Sequence, residues 1–235
     1  MCVPRISRMP ASNTEAPKGP ALVYQGSDWL VVDKPAGMPV QPDPSGSADL
    51  LTWVRATTGD NRLELVNRLD RPVSGAVVLA AGDALVALNR SFRERQVRKV
   101  YHAIVEGGLE ADDPVELTHL LVHDTRVHKA RQASAGDQDV REVHLLVRVV
   151  RRFERFTALE LEPREGAFHQ LRAQLSFWGH PIKGDVKYGA RRGEPDRSIA
   201  LHALRLHVPD PVTQEEVVIE APLAIQGVWR LLAAQ

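Results

Sequence analysis

One aspartate is a candidate catalytic group because of the residues beside it. Asp70 lies in the polar segment NRLDRPVSG (67–75), between two apolar stretches that are typical of β-strands. Loops between strands often carry catalytic groups, and Arg68 and Arg71 on either side favour an ionised carboxylate. The same pattern also fits an ion pair in a surface turn, and the local sequence alone favours that simpler interpretation.

Two further side chains could act together with such a carboxylate. Tyr101 follows a basic run in the predicted strand VYHAIV (100–105), where its ring can pack or stack and its hydroxyl can reach the surface. Arg172 lies on a predicted helix beside an apolar stripe with helical spacing, formed by Phe168, Leu171, Leu175 and Trp178. A planar guanidinium there can pair with a carboxylate from a facing loop. Half-buried packing for Tyr101 and a solvated helix face for Arg172 are the structural alternatives.

The charge of the chain is balanced overall but segregated locally. Among 235 residues, 30 Lys and Arg oppose 30 Asp and Glu, which argues against a protein that coats nucleic acid non-specifically. Basic residues nevertheless cluster in three regions, 90–99, 148–155 and 187–197. A surface that tracks phosphates and ordinary solvated faces explain these clusters equally well.

Several functional classes find no support in the sequence. The single cysteine, Cys2, allows neither an intrachain disulfide nor a cysteine zinc site. The histidines His119, His123 and His128 have no partner at metal-ligand spacing, and no phosphate-binding glycine motif occurs. No apolar stretch reaches 18 residues, so no membrane span is predicted. The residues thus indicate no metal site, and we expect a cytoplasmic protein.

Strands dominate the predicted secondary structure. A hairpin around the turn QGSD is followed by apolar strands, most of which follow one another directly. The predicted strands cover residues 22–24, 29–32, 63–66, 76–80, 100–105, 115–122, 143–150, 156–162, 199–208 and 217–219. This arrangement favours an α+β fold with an antiparallel sheet over a doubly wound parallel sheet.

Helices and loops complete the predicted domain. Ser47 is expected to cap a first helix and Asp83 a second, the stripe around Arg172 forms a third, and a short helix closes the chain. Residues 123–139 are predicted to form a mobile, partly basic loop. Prolines throughout residues 1–21 predict a disordered tail, which leaves 22–235 as one domain.

Four segments in this order resemble the RluA family of RNA pseudouridine synthases. They are DKPAGMPV (33–40), NRLDRPVSG (67–75), RKVYHAIVEG (98–107) and FHQLRAQLSFWGHPIKGDVKYGA (168–190), with a late Leu-His-Ala at 201–203. The resemblance spans roughly residues 22–222. It implies a bent, mainly antiparallel mixed sheet flanked by helices, a central active-site cleft, and no separate N-terminal RNA-binding domain.

The resemblance also implies a reaction and the residues that carry it. A uridine within RNA is detached from its sugar, rotated and rejoined through carbon 5, without a metal or cofactor. Asp70 matches the essential aspartate of the family, which acts on the sugar either as a nucleophile or by removing a 2′ proton. Arg172 matches the arginine that pairs with this carboxylate. Tyr101 matches the active-site tyrosine, whose ring can stack on the base and whose hydroxyl can help to remove the carbon 5 proton.

A base must leave its stack before this reaction, so the expected substrate is a structured loop of tRNA or rRNA. We expect a monomer that contacts this RNA through Arg68, Asn67, Arg71, Arg98, Lys99 and His169. Arg68 is expected to fill the space that the base vacates, and Arg98 and Lys99 to hold neighbouring phosphates.

The chain departs from the family pattern at several positions. The family usually has His at 67, Thr at 73 and Thr-Gly-Arg at 165–167, where this chain has Asn, Val and Glu-Gly-Ala. The missing arginine removes one expected RNA contact, for which Arg164 is a nearby substitute. A non-catalytic RNA-binding protein or RNA chaperone of the same fold is therefore the alternative function. A hydrolase that uses Asp70 and His169 as acid and base is a third.

Overall fold

A computed structural model of the chain describes residues 19–110 and 114–233. Residues 1–18, which make up most of the predicted tail, lie outside the described residues, as do residues 111–113 and 234–235. In the described part of the chain, eleven strands form one sheet, and none of the helices is long and apolar enough to cross a membrane.

The bounds of the elements follow the sequence prediction closely. The strands are β1 (Ala21–Gln25), β2 (Trp29–Lys34), β3 (Glu64–Leu65), β4 (Ser74–Ala80), β5 (Arg98–Glu106), β6 (Val115–Asp124), β7 (Lys129–Gln132), β8 (Arg141–Arg152), β9 (Phe156–Pro163), β10 (Leu201–Pro209) and β11 (Glu216–Glu220). The helices are α1 (Leu50–Thr58), α2 (Gly82–Arg93), α3 (Gln170–Phe177) and α4 (Arg230–Ala233). Short 3-10 turns cover Val186–Tyr188 and Gly227–Trp229.

The sheet has the order β1-β2-β4-β10-β5-β9-β8-β6-β7, with β3 paired to β4 and β11 paired to β10. Each of these pairs is antiparallel except β4 with β10, which run parallel. The predicted α+β fold with a mainly antiparallel mixed sheet is confirmed. Because β10 lies between β4 and β5, it joins the strand that follows Asp70 to the strand that carries Tyr101.

Helices on both faces bury the first half of the sheet. Val31 of β2 packs in a cluster with Leu88 of α2, whereas its neighbour Leu30 packs in a cluster with Leu50 of α1. Successive residues of a strand point to opposite faces, so a strand covered on both sides must be apolar throughout. This explains the uninterrupted apolar run WLVV in β2 and the fully buried run AVVLA in β4.

The parallel contact between β4 and β10 depends on a glycine. Gly75 has a φ of +114°, and a Cβ atom there would lie 2.3 Å from the carbonyl oxygen of Ala203. Only glycine combines that backbone conformation with so close an approach of a neighbouring strand. Gly75, at the end of the Asp70 segment, is therefore required for the pairing of β4 with β10.

Both predicted helix caps are wrong. The α1 helix is capped by Asp49, whose Oδ1 accepts the Thr52 N–H at 2.9 Å, whereas the Ser47 hydroxyl accepts a hydrogen bond from Arg71 at 3.0 Å. The α2 helix begins one residue before Asp83, which lies in its first turn and not at the cap. In each case the apolar spacing located the helix correctly, but it did not specify which polar residue ends the preceding loop.

The prediction of a loop over residues 123–139 is also wrong, because this segment contains β7. The sequence KARQ has only one apolar residue, Ala130, so its alternation is too weak to indicate a strand. Its strand character comes from hairpin pairing with the neighbouring β6 and from the burial of Ala130 against Tyr188, which lies 58 residues later in the sequence.

Candidate active site

A guanidinium joins two carboxylates at the base of a cleft. Arg172, on α3, donates from Nη1 to Asp70 Oδ2 at 3.0 Å, and from Nε and Nη2 to the two oxygens of Asp185 at 2.7 and 2.8 Å. Burial opposes the charge of Arg172, but the hydrogen bonds and charges of these two carboxylates outweigh that effect and raise its pKa. The predicted approach of Asp70 and Arg172, 102 residues apart in sequence, is present in the structure.

A buried lysine forms hydrogen bonds to the backbone of the loop that carries Asp70. Lys34 is fully buried, and its Nζ donates to the carbonyls of Pro35, Met38 and Arg71 at 3.0, 2.9 and 3.4 Å. Burial lowers the pKa of Lys34 to about 7. Because Arg71 directly follows Asp70, this contact ties the DKPAG segment to the backbone beside the candidate catalytic carboxylate.

Tyr101 is placed on the same cleft by the pairing of β5 with β10 and β9. It lies opposite Ala203 on one side and Leu161 on the other, so its position is fixed by two neighbouring strands. Burial, and then the charge of Asp70, raise the pKa of Tyr101 to about 12. The phenol is therefore neutral at physiological pH, and it lies close enough to Asp70 for the charge of that carboxylate to affect its pKa.

The cleft is large enough to admit a nucleotide. It has a volume of about 1570 Å³, and Asp70, Tyr101, His169 and Arg172 all line it. The Asp70 side chain is 28% exposed, whereas that of Arg172 is only 7% exposed. A substrate in the cleft can therefore reach Asp70, while the buried Arg172 holds the carboxylate from the protein side.

His169 adds a fourth group beside Asp70. Its Nε2 lies 3.4 Å from Asp70 Oδ2 and 3.1 Å from Arg172 Nη1, and its Nδ1 lies 2.9 Å from the Tyr188 hydroxyl. The ring stacks on Phe168 with a centroid distance of 3.9 Å. Burial lowers the pKa of His169 to about 4, so the ring is neutral at physiological pH.

The other residues predicted to contact RNA differ in their surroundings. Arg68 is exposed, lines the cleft, and has no ion-pair partner among residues 19–110 and 114–233. Lys99 also lines the cleft, and its Nζ donates to the Glu165 carbonyl. Asn67 lines the cleft but is tied to β4, because its Oδ1 accepts the Val78 N–H at 2.7 Å.

Two predicted RNA contacts have their guanidinium groups engaged with protein. Arg71 donates from Nε to the Gly37 carbonyl at 2.8 Å. Its other guanidinium nitrogens donate to side chains in the loop before α1, those of Asp43, Ser45 and Ser47. Arg98 forms a bidentate pair with Glu162 at 2.6 and 2.9 Å and does not line the main cleft. Adjacent residues of a strand point to opposite faces, which separates Arg98 from Lys99.

A carboxylate lines the cleft wall where the sequence departs from the family pattern. Glu165 accepts the His144 N–H at 2.7 Å and pairs with Arg95 at 3.3 Å. Arg164, considered above as a substitute for the missing arginine, pairs with Glu116 at 2.9 Å and keeps 63% of its side chain exposed at the cleft rim.

Sequence reasoning assigned no role to Asp185 and Tyr188, although both lie in the quoted segment 168–190. Asp185 is 1% exposed and forms the bidentate pair with Arg172, while Tyr188, also 1% exposed, contacts His169. The available signal was a lone carboxylate in the run PIKGDVKYG (181–189), shortly after a helix that carries an arginine. Such a carboxylate needs a buried partner.

Comparisons with known proteins agree with the geometry. The model of the RNA pseudouridylate synthase family matches residues 28–177. The chain is 30% identical over 210 residues to ribosomal large subunit pseudouridine synthase C of Vibrio cholerae, covering 86% of this chain and 65% of that protein. It is also 30% identical over 236 residues to tRNA pseudouridine synthase C of Vibrio parahaemolyticus, covering 92% and 95%. The structure of human RNA pseudouridylate synthase domain containing 1 superposes with a TM-score of 0.74 at 25% identity, covering 96% of each chain.

Proposed function

Because this chain belongs to the RluA family of RNA pseudouridine synthases, we propose that it isomerises a specific uridine in structured tRNA or rRNA with Asp70 as its essential catalytic group and without a cofactor. Two similar proteins named for ribosomal RNA and for tRNA support these two substrate classes. The chain covers nearly all of the tRNA enzyme but about two thirds of the ribosomal one. We take residues 22–235 as a single catalytic domain.

The contact between Asp70 and Arg172 at the base of an open cleft carries this proposal. In the isomerisation, the bond between N1 and C1′ breaks, a bond between C5 and C1′ forms, and the C5 proton leaves while N1 gains one. Asp70 can attack C1′ or remove a 2′ proton, and both routes need an ionised carboxylate aimed at the ribose. Arg172 fixes the orientation of the Asp70 carboxylate through a charge-assisted hydrogen bond.

Tyr101 is suited to hold the base and to relay its proton. Its pKa of about 12 means that the hydroxyl does not act as a free phenolate base. It can accept the C5 proton only while giving its own proton to another acceptor, and Asp70 is the carboxylate whose charge raises its pKa. The ring meanwhile offers a flat face against a flipped pyrimidine.

RNA binding is assigned to the cations that the cleft leaves available. Arg68 is exposed at the cleft without an ion-pair partner in the described ranges, so it is placed to enter the stack or to contact phosphate. Lys99 lies deeper, where burial lowers its pKa to about 8. Asp70, Tyr101 and Arg172 come from one chain, so a single copy can form the site, and we propose a monomeric enzyme in the cytoplasm.

The test is release of tritium from RNA that carries [5-³H]uridine, because loss of the C5 hydrogen accompanies each turnover. The wild type is expected to release tritium, and Asp70→Asn is expected to abolish release while RNA binding persists. Asp196→Asn is the matched control, since Asp196 is exposed, lies outside the cleft and accepts hydrogen bonds from Ser198. Full activity of Asp70→Asn would refute the assignment. Wild-type binding of RNA without tritium release would indicate the non-catalytic RNA-binding protein instead.

A further inference from the structure

Three aromatic rings form a column that leads away from Asp70 along the wall of the cleft. The His169 ring stacks on Phe168, and Phe168 in turn packs on His123, with a centroid distance of 3.9 Å in both contacts. All three residues line the cleft. The rise between stacked bases of a nucleic acid strand is about 3.4 Å. The column therefore leaves the active site in steps of a size similar to those of stacked bases.

Two elements of the fold bring these rings together. Neighbouring side chains point about 100° apart in a helix and to opposite faces in a strand, so consecutive rings stack only where the backbone is irregular. His169, which precedes α3, has such a backbone, with a φ of 51° in the left-handed region. On β6, Leu121 and His123 share a face, and Leu121 packs in a cluster with α3. The same face therefore carries His123 to Phe168.

The outer end of the column is open. His123 is exposed, whereas Phe168 and His169 are half-buried. One face of the His123 ring packs on Phe168, so its exposed surface is the remaining face and edge. His128, at the turn between β6 and β7, has its ring centroid 6.3 Å from that of His123, beyond the distance of the two closer contacts. A flat ring left open inside a cleft is suited to stacking with another flat ring.

An available cation lies on the same face of the sheet as His123. Arg141 of β8 pairs in register with Leu121 of β6, and residues that pair across neighbouring strands point to the same face. Arg141 is exposed, lines the cleft, and forms no ion pair with any residue in 19–110 or 114–233. Glu142, which follows it, lies 3.4 Å from the His144 ring instead. The Arg141 guanidinium is therefore available to a phosphate.

We propose that an unpaired base of the RNA, next to the target uridine, stacks on the ring of His123, and that Arg141 contacts its phosphate. This inference rests on the proposed function and adds a second nucleotide to the site. A flipped uridine leaves its neighbour without a stacking partner, and the aromatic column supplies a new one. Because every base has a flat face, the contact is expected to contribute affinity with little selection among the four bases.

Two substitutions of His123 test whether its ring acts by stacking. The probe is a fluorescein-labelled single-stranded uridine decamer, in which every base is already unpaired. We expect His123→Ala to raise the Kd for this decamer about 10-fold, the size of one lost base–aromatic stack, and His123→Phe to keep it within about two-fold. The slope of log affinity against log salt is expected to be unchanged in both variants, because stacking releases no counterions. Fluorescence anisotropy at several salt concentrations measures both quantities.

A substitution of Arg141 separates the phosphate contact from the stack. We expect Arg141→Gln to raise the Kd and to reduce the salt slope by about 0.7, as for one phosphate of a single strand. His119→Ala is the matched control, since His119 is also on β6 and its ring packs on Phe177 of α3, outside the cleft, with a centroid distance of 5.7 Å. Its Kd is expected to equal that of the wild type. Urea unfolding checks that each variant is folded.

Three results would overturn the proposal. They are equal affinity of His123→Ala and the wild type, equal losses in His123→Ala and His123→Phe, and a wild type that does not bind the decamer. The binding measurements need no turnover, so they stand apart from failure of the proposed function, which would appear as a wild type that releases no tritium.

Discussion

Asp185 and Arg172 form two parallel hydrogen bonds beneath the cleft, from Nε to Oδ2 at 2.7 Å and from Nη2 to Oδ1 at 2.8 Å. The two side chains are 1% and 7% exposed. A bidentate pair fixes the plane of the guanidinium as well as its position. Nη1 is thereby left to face Asp70, so the orientation of the candidate catalytic carboxylate depends on a second, buried carboxylate.

We therefore predict that Asp185→Asn lowers kcat by at least about 10-fold, because the guanidinium loses the group that sets its plane. The free energy of unfolding is expected to fall by about 3 kcal/mol, since half of a buried ion pair is removed. Tritium release gives kcat, and urea unfolding gives the stability. A folded variant with wild-type kcat would show that Asp70 is oriented without Asp185.

The glycine between β4 and β10 provides a test of the topology. We predict that Gly75→Ala destabilises the protein by about 2–4 kcal/mol, because its Cβ would collide with the Ala203 backbone in a conformation with positive φ. Gly46→Ala is the control, since Gly46 also has a positive φ but faces open space, and a loss of about 1 kcal/mol is expected there. Urea unfolding of both variants measures the difference. Equal losses would show that the close approach of β10 adds nothing to the backbone strain.

Two arginines predicted to contact RNA should differ in their effect on binding. Arg68 is exposed at the cleft, whereas Arg98 is already paired with Glu162. We predict that Arg68→Gln weakens RNA binding and reduces the slope of log affinity against log salt by about 1, as for one lost phosphate contact. Arg98→Gln is expected to leave the slope unchanged. Binding titrations at several salt concentrations measure both slopes, and the reverse ranking would contradict the assignment of Arg68 to the RNA surface.

A buried histidine predicts how stability depends on pH. His202 is 2% exposed, accepts from the Ser74 hydroxyl at 2.8 Å and donates to the Ala221 carbonyl at 3.0 Å. Burial lowers its pKa from 6.5 to about 4. Between these two values the unfolded chain binds more protons than the folded chain, so stability falls as the pH falls from 6.5 toward 4.

Between pH 6.5 and 4, the free energy of unfolding of His202→Gln should fall by about 3 kcal/mol less than that of the wild type, because the titrating group is absent. His169 has a pKa shifted in the same direction and still titrates in the variant, so part of the dependence remains. Urea unfolding at a series of pH values compares the two proteins. Parallel curves for wild type and variant would show that His202 does not titrate in this range.

The sequence predicted those elements whose apolar period is strong. The β1–β2 hairpin and α3 are where they were expected, and Asp70 and Arg172 meet as the resemblance implied. What could not be predicted depends on partners distant in sequence. Asp49 caps α1, whereas the Ser47 hydroxyl accepts a hydrogen bond from Arg71, 24 residues later in the sequence. The strand β7 exists because Ala130 is buried under Tyr188, a contact that the four residues of β7 cannot encode alone.

The location of β10 has a consequence for how the protein matures during translation. Asp70 belongs to the half of the sheet built from β1 to β4, and Tyr101 to the half that begins with β5. The strand that joins these halves, β10, begins about 100 residues after Tyr101 in the sequence. A nascent chain that has not yet extended past residue 209 has two unjoined halves and no working pocket. The approach of Asp70 to Tyr101 thus depends on a strand that is translated well after both of these residues.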